Sequence, residues 1–313
     1  MLGKTAGGLF WMFRFLERAE NTARLVEAGF RIALTRSTDS ETEWKSVVTT
    51  AAVKVGYQQK YDTFNGPNVV DFLLRDKDNP SSVISVVESA RTNARMVRTA
   101  LTTEVWEAVN ENWMTIRELL KRPVRETELP AILGTIRQQS ALVRGALHGT
   151  MLRNDIYDFA RLGTFLERAD NTARIIDVKY YTLLPSASFV GSSLDNVQWE
   201  TILRSVSAHR AFRWLDENDM TSAAIADFLI LDRRLPRSLA FCSAELVSNL
   251  SFLADDYGER HDCHDLAENL RARLKDRDIT SIFEFGLHQF ISDFIRDNNV
   301  LGQQIEADYR FNK

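Results

Sequence analysis

The sequence predicts an all-α protein, a helical bundle built from two internally duplicated helical units. Apolar residues recur every three or four positions over long stretches, which is the spacing of a buried helix face. No segment shows the sustained alternation of apolar and polar residues that a half-buried strand requires. The chain of 313 residues contains only 6 prolines and 14 glycines, so few positions interrupt a helix.

Composition and charge exclude several classes of protein. Hydrophobic residues make up 44% and charged residues 26% of the chain, as in ordinary globular proteins, and the formal net charge is −4. Nucleic acid is not an expected partner, because the chain has no basic excess. No membrane association is expected either, because no apolar run reaches about 18 residues and the run over 9–13 is too short for a signal peptide. The only cysteines, Cys242 and Cys263, are interpreted as free thiols in a cytoplasmic protein.

Apolar spacing and helix breakers together predict the order of the helices. Ser81 or Ser82 is expected to cap the helix that follows Pro80, and Pro130 is expected near a helix start. The predicted helices lie over about 9–33, 43–61, 69–74, 82–121 with an interruption near Asn110, 130–152, 266–275 and 280–311.

A ten-residue segment occurs twice in the chain. Residues 15–24 read FLERAENTAR and residues 165–174 read FLERADNTAR, so nine of the ten positions are identical at an offset of 150. Identity over both the apolar and the polar positions is unusual for a solvated helix face. The segment is therefore a candidate site as well as a candidate helix.

The similarity between the two halves extends beyond this segment. Trp44 corresponds to Trp199 at an offset of 155, and residues 71–82 correspond to residues 227–238 at an offset of 156. An offset that grows slowly is what loop insertions produce in a duplicated unit. Two helical units are therefore predicted, over 1–153 and 154–313. They are expected to pack as one continuous body, because no Gly/Ser-rich or Pro-rich linker separates them.

Charged residues form a stripe beside the apolar face of these helices. Each follows an apolar face residue by one position, which places it about 100° around the helix. The stripe residues are Glu17, Glu20 and Arg24 in the first copy, Glu167, Asp170 and Arg174 in the second copy, and Glu88, Arg91 and Arg95 in the long helix. Small neighbours such as Ala19 and Ala23 allow close helix packing, so these stripes are expected to mesh into a partly buried ion network.

Three interpretations of the stripes remain open at the level of sequence. They are exposed pairs worth ~0.2–0.5 kcal/mol each, ion pairs that set helix register, or a site that binds a carboxylate through arginine forks. In a catalytic version, Arg24, Arg95 and Arg174 would clamp a carboxylate or acyl-phosphate oxygen. Glu17 or Glu167 would then move a proton, provided that burial raises its pKa.

The whole chain resembles the bacterial alpha-E family, a predicted all-helical group named for its Glu-Arg motif. The residues that carry the resemblance are those at 1–3, 8–12, 15–24, 86–95, 104–107, 166–169 and 232–238. The resemblance implies that the functional positions are Glu17, Arg18, Glu167 and Arg168. Asn21 and Asn171, in the same repeated segment, complete the candidate binding residues.

The resemblance also implies partners. Members of the family are typically encoded beside a circularly permuted ATP-grasp protein and often a transglutaminase-like protein, which implies a role in ATP-dependent amide or peptide bond formation. Two departures argue against two symmetric sites. In the second copy, Thr164 occupies the position that corresponds to Arg14, where the family often has arginine. His209-Arg210 occupies a position where a Tyr-Glu pair is more usual.

Other catalytic and cofactor chemistry finds little support in the sequence. The phosphate-binding patterns GxxxxGK[ST] and GxGxxG are absent, as are GxSxG and HExxH, so no cofactor is expected and no catalytic residue is identified. None of the five histidines follows a glutamate by three positions, as a di-metal bundle requires. The cluster at 261–265 is interpreted as a helix start with Asp262 as its cap, and His288 as a core histidine rather than a metal ligand.

The leading hypothesis is an accessory protein of an ATP-grasp ligation system that holds an acidic or peptide substrate, or the ligase itself, through the charged stripes. The alternative is a non-catalytic helical interaction module in which the charges serve helix pairing alone.

Overall fold

A computed structural model of the chain describes residues 1–35, 40–182, 193–215 and 220–312, which form α-helices, one 3₁₀ turn and connecting loops, with no strand among them. The prediction of an all-α fold is therefore confirmed. The helices of the first half are α1 (Gly3–Thr35), α2 (Ser40–Thr50), α3 (Lys54–Gln58), α4 (Gly66–Leu74), α5 (Val83–Met96), α6 (Thr103–Leu119) and α7 (Leu129–Thr150).

The remaining described helices belong to the second half of the chain. They are α8 (Asp155–Thr182), α9 (Ser193–Ser205), α10 (His209–Arg213), α11 (Ser222–Ile230), α12 (Leu239–Tyr257), α13 (Asp262–Lys275), α14 (Ile279–Phe285) and α15 (Leu287–Asp308). Over the described ranges, no helix combines the length and the apolar character that crossing a membrane would require.

Three predicted helices are each broken into two. The helix expected over 43–61 ends at Thr50, because Ala52 adopts a left-handed backbone with φ of 57°. The helix expected over 82–121 breaks before Thr102, which caps α6 by accepting from the Val105 backbone N–H, and not near Asn110. The last helix breaks at Gly286, whose φ of 104° suits glycine.

Side-chain caps fix the starts of two equivalent helices. The Ser82 hydroxyl accepts from the Ser85 backbone N–H at the start of α5, as predicted, and the Ser238 hydroxyl accepts from the Phe241 N–H at the start of α12. Asp262 is not the cap of α13. His261 takes that place and shares a reciprocal capping arrangement with the residue three positions later.

Helices α1 and α8 form the centre of the molecule. They pack along each other, and α1 also lies against α5 and α7, while α8 lies against α12 and α15. Gly163 of α8 meets the backbone of Phe10 of α1 so closely that a Cβ there would overlap the Phe10 carbonyl oxygen. Arg18, which comes later in α1 than Phe10, pairs with Glu167, which comes later in α8 than Gly163. Residue numbers therefore increase in the same direction along the contact, so the two helices are parallel.

The apolar face predicted for α1 is buried. Leu9, Met12, Ala19, Ala23 and Val26 are each inaccessible to solvent. The corresponding residues of α8 are equally buried, and one continuous apolar core contains side chains from both halves of the chain. The central helices therefore have no water-exposed apolar face along their contact.

Candidate functional site

The repeated Glu-Arg dipeptides pair with each other across the contact between α1 and α8. The Glu17 carboxylate accepts from Nε and Nη2 of Arg168, both at 2.9 Å. Reciprocally, the Glu167 carboxylate accepts from Nη2 of Arg18 at 2.9 Å and from its Nε. These four residues are called the Glu-Arg crossing. Both pairs, Glu17 with Arg168 and Glu167 with Arg18, are bidentate, because two N–H groups of the guanidinium donate to the two carboxylate oxygens. This is the strong form of a guanidinium–carboxylate interaction.

Small side chains bring the Glu-Arg crossing into the protein interior. Ala19 and Ala23 on α1, with their counterparts on α8, let the two backbones approach closely. Glu17 keeps only 2% and Glu167 only 5% of its surface exposed. The prediction of a partly buried ion network beside the apolar face is therefore confirmed for these two helices.

Two arginines from other elements complete one side of the crossing. Arg237, in the turn before α12, lies 3.1 Å from Glu17 and donates to Glu20 at 2.8 Å. Arg144 of α7 donates to Glu20 as well, and Arg24 does so at 2.6 Å. Glu20, which is fully buried, thus holds three guanidinium groups.

Sequence reasoning missed both of these arginines. Arg237 occupies the position that Ser81 occupies in the first copy of the repeat, so the mismatch was visible in the alignment. Arg144 follows Arg137 by seven positions on α7, on one helix face. Neither pattern says which carboxylate the arginine reaches, since that depends on how α7 and the turn before α12 pack.

The other side of the crossing has a different set of partners. Glu167 also accepts from Arg14 at 3.1 Å, and Asp170 pairs with Arg174 at 2.7 Å. Arg14 is the residue whose counterpart is Thr164, so the predicted departure from symmetry is present in the ion pairs. The two sides therefore share one core arrangement and differ in their outer arginines.

Corresponding helices support the two sides in similar ways. The Ser140 hydroxyl of α7 donates to the Leu16 carbonyl at 3.5 Å, and the Asn298 amide of α15 donates to the Leu166 carbonyl at 3.0 Å. Four residues further on, α7 has Arg144 whereas α15 has Gly302. On this side of the crossing, α15 therefore supplies no arginine at the position that corresponds to Arg144. Arg14 of α1 supplies the additional guanidinium group instead.

The arginines keep both glutamates ionised. Burial acts to raise the pKa of Glu17, but Arg168, Arg237 and Arg144 outweigh it and hold that pKa well below its usual range. The same balance lowers the pKa of Glu167 to about 2. The pKa values of both carboxyls are thus shifted away from the range that proton transfer near neutral pH would need.

A cleft opens beside the Glu-Arg crossing, on the side of the first half. It has a volume of about 190 Å³ and is called the Glu-Arg cleft. Its polar lining residues are Arg18, Asn21, Thr22, Thr50, Ser81, Glu167, Asp170, Asn171 and Arg174. Six of the candidate residues therefore meet at one cavity, whereas Glu17 and Arg168 lie on the closed side of the crossing.

The third predicted stripe does not join this site. Glu88 and Arg95 are exposed on α5 and pair with no charged group in the described ranges. Arg91 donates to the Asn110 side chain at 2.8 Å and stacks on the Trp113 ring. The expected meshing of α5 with α1 is wrong, because α5 packs through its buried alanines and turns its charges away.

A second cleft, of about 360 Å³, lies between α1, α7 and α9 and is rich in arginine. Its lining arginines are Arg24, Arg31, Arg137, Arg204 and Arg210. Glu27 accepts from both Arg31 and Arg137, and Glu200 accepts from Arg204 at 2.5 Å. Intramolecular carboxylates thus satisfy much of its positive charge.

The two cysteines and His264 are buried, whereas His288, predicted to be a core histidine, is only partly buried. Cys242 and Cys263 are free, as predicted, and both are buried; burial raises the pKa of the Cys242 thiol to about 12. His264 is buried with its Nε2 at 3.0 Å from the Leu250 carbonyl. His288 lies 2.6 Å from Asp177. In the part of the chain that the structure describes, no three His, Cys, Asp or Glu side chains are grouped so as to hold a metal ion.

The fold and the site together define an all-α bundle whose two central helices exchange buried glutamate–arginine pairs. The chain belongs to the Alpha-E family, described as a predicted alpha-helical domain with a conserved ER motif, and the family's sequence model matches residues 1–309. The Glu-Arg crossing is formed by the Glu-Arg dipeptides of the ten-residue repeat, at positions 17–18 and 167–168.

Similar proteins occur in mycobacteria. An uncharacterized protein of Mycobacterium bovis and one of Mycobacterium tuberculosis are each 23% identical to this chain over 271 residues. The matched part is 80% of this chain and 30% of each relative, so the chain spans about a third of their length. No solved structure matches the chain.

Proposed function

We propose that the protein is an accessory binding component of an ATP-grasp-associated system that forms amide or peptide bonds. The observation that carries this proposal is the Glu-Arg cleft, an open polar cavity of about 190 Å³ at the residues of the family motif. Its size suits an end group or a side chain of a peptidic substrate or partner, because whole small-molecule ligands usually occupy about 300 Å³ or more.

Binding without chemistry is the form of this role that the site favours. Glu167 is ionised and already accepts from Arg14 and Arg18, so it is a poor proton donor or acceptor near neutral pH. The nearby Cys242 thiol is a weak nucleophile because its pKa is raised to about 12. The cleft therefore positions a ligand, and the bond-forming step belongs to the partner enzyme.

The proposed partners rest on the family resemblance. They are a circularly permuted ATP-grasp protein, which would supply the activated acyl group, and a transglutaminase-like protein. The proposed location is the cytoplasm, where ATP is available to such a system. We also propose that residues 1–153 and 154–313 are two copies of one helical unit, which explains the reciprocal pairing of the Glu-Arg crossing.

Retrieval of this chain by its partner tests the proposal. The neighbouring ATP-grasp protein is tagged in the source cell, and the material bound under mild salt is analysed for this chain. Asn171→Leu, which narrows the cleft, is expected to weaken retention, whereas Asn299→Leu on the exposed surface of α15 is the matched control. Absence of the wild-type chain from the bound material would contradict the proposal.

The alternative function, a structural interaction module, is favoured by the closed side of the crossing. There Glu17 and Glu20 are buried and their charges are met by Arg24, Arg144, Arg168 and Arg237. A module of this kind would need the charges only for helix pairing. Exchange of Asp170 and Arg174, which pair with each other and line the cleft, separates the two functions: the exchanged pair should keep the stability in both cases, but the protein should retain partner binding only if the charges act structurally.

A further inference from the structure

Arg237 fills a defined space on the closed side of the Glu-Arg crossing. Its guanidinium donates to Asn21 Oδ1 at 3.0 Å and to Glu20 Oε1 at 2.8 Å, and it lies 3.1 Å from Glu17. The residue is 8% exposed. One amide oxygen and two carboxylates thus form a receptor for a guanidinium group that the chain itself supplies.

The same three acceptor positions exist on the open side, without the arginine. The counterparts of Glu17, Glu20 and Asn21 at the repeat offset of 150 are Glu167, Asp170 and Asn171, and all three line the Glu-Arg cleft. The counterpart of Arg237 at the offset of 156 is Ser81, which lines the cleft as well. The cavity therefore lies where a guanidinium group would lie if Ser81 were arginine.

The acceptors of the cleft have room for a further cation. Glu20 pairs with three arginines, whereas its counterpart Asp170 pairs, among the described residues, with Arg174 alone. The Asp170 side chain also keeps 15% of its surface exposed. A carboxylate has about four acceptor positions, so Asp170 can accept from a ligand without losing Arg174.

The arginines of the cleft are less available to an anion. Arg18 donates Nε and Nη2 to both oxygens of Glu167, and Arg174 donates Nε and Nη2 to both oxygens of Asp170. An anionic ligand would have to displace or share with a carboxylate that is fixed in place. A cationic ligand meets carboxylate oxygens that have unused acceptor positions.

Two further features of the wall suit a cationic side chain. Helix α2 ends at Thr50, which lines the cleft, and the negative end of a helix dipole favours a cation. Leu25, Val53 and Leu73 form an apolar part of the lining. That part can contact the methylene groups of an arginine while its head reaches the carboxylates.

We propose that the Glu-Arg cleft binds the guanidinium group of an arginine side chain from a peptide ligand, in the way that Arg237 occupies the opposite side of the crossing. This inference rests on the proposed binding role of the cleft and names the chemistry of its ligand. The volume of about 190 Å³ holds one such side chain and not a whole folded partner.

The test compares two short peptides that differ in charge at one position. The probes are fluorescently labelled, end-blocked Ala-Arg-Ala and the same peptide with citrulline, the neutral isostere of arginine. Fluorescence anisotropy with the full chain is expected to show at least ten-fold tighter binding of the arginine peptide. Equal affinity for the two peptides, or preferential binding of an Ala-Glu-Ala peptide or of inorganic phosphate at the cleft, would overturn the inference.

Variants at the two corresponding positions give an independent readout. Ser81→Arg supplies an internal guanidinium and is expected to lose binding of the arginine peptide, whereas Ser81→Ala retains it. Arg237→Ser opens the opposite side, and the arginine peptide, but not the citrulline peptide, is expected to raise its melting temperature more than that of the wild type. Unchanged peptide binding by a folded Ser81→Arg protein would contradict the proposal.

These results are distinguishable from a failure of the proposed function. Retrieval by the ATP-grasp protein with no preference for arginine over citrulline keeps the accessory role and overturns the guanidinium site. A preference for arginine with no retrieval keeps the guanidinium site and overturns the link to that ligase.

Discussion

Glu17 and Glu167 each occupy a position where burial alone would favour the neutral acid. For Glu17, three arginines from α7, α8 and the turn before α12 reverse that preference. The same burial also affects Arg237. Burial and neighbouring arginines lower its pKa to about 10, despite the two glutamates beside it. The ions at the crossing therefore depend on one another, and removal of one leaves the others buried without compensation.

Glu17→Gln is expected to destabilise the protein by about 3–5 kcal/mol, since the substitution keeps the side-chain shape but leaves buried Arg168 without its counter-ion. Urea denaturation followed by circular dichroism measures the change. Glu118→Gln removes one member of an exposed pair with Lys121 and serves as the control, with a much smaller effect expected. A loss for Glu17→Gln no larger than that of the control would show that the pair is not buried in solution.

Acid should weaken the protein through Glu167. Its pKa is about 2 in the folded protein, below the usual 4.5, because Arg18 and Arg14 outweigh burial. The stability that this ionised group contributes is fully present above pH 4.5 and is lost as the pH falls towards 2. The urea midpoint of the wild type should therefore fall more steeply between these values than that of Glu167→Gln. Parallel pH profiles would contradict the assignment.

Residue patterns in the sequence predicted part of this site, namely the charged residues of α1 and their counterparts on α8. The spacing of Glu17, Glu20 and Arg24 placed them beside the apolar face, and the repeat identified their counterparts on α8. Their partners could not be predicted in the same way, because Arg144 and Arg237 lie more than a hundred residues away and approach only through tertiary packing. The lowered pKa of Glu17 likewise depends on those distant arginines.

At the scale of elements, the close contact of α1 and α8 depends on a glycine. Gly163→Ala is expected to destabilise the protein by about 1–3 kcal/mol, because the added Cβ would overlap the backbone of Phe10 and force the helices apart. Gly145→Ala on α7 is the matched control, since nothing lies within 4 Å of its Cβ position. That variant should gain about 0.5–1 kcal/mol from helix propensity.

Thermal melting of the two glycine variants separates packing from propensity. If Gly163→Ala melted above the wild type, as Gly145→Ala should, then α1 and α8 would not approach as closely as the structure places them. The prediction requires opposite signs for the same chemical change at two helical glycines, which no propensity scale alone would produce.

Helix existence followed from the sequence more reliably than helix ends. Apolar periodicity identified α1, α4 and α7 closely, because their buried faces repeat without interruption. The breaks at Ala52 and before Thr102 had no glycine or proline to mark them. In these places the chain changes direction to pack against other helices, and tertiary contacts override the continuing local pattern.

At the scale of the whole molecule, the two predicted units share their central contact. The apolar faces of α1 and α8 cover each other, and the same core includes Phe10 and Phe13 of the first half and Phe165 and Leu246 of the second. Each half alone would expose this surface to water. It would also lose half of each ion pair of the Glu-Arg crossing, so that apolar and ionic terms both oppose separation.

Fragments 1–153 and 154–313, produced separately, are therefore expected to be largely unfolded or aggregated, and to recover helix content and cooperative melting when they are co-expressed. Circular dichroism and size-exclusion chromatography measure both states. Introduction of Glu17→Gln into the first fragment should weaken the reassembly, whereas Glu118→Gln should leave it unchanged, since only the former lies at the contact between the halves. If each fragment instead melted cooperatively without the other, the two units would be independent domains. The Glu-Arg crossing would then be an interface between folded domains and not part of a common core.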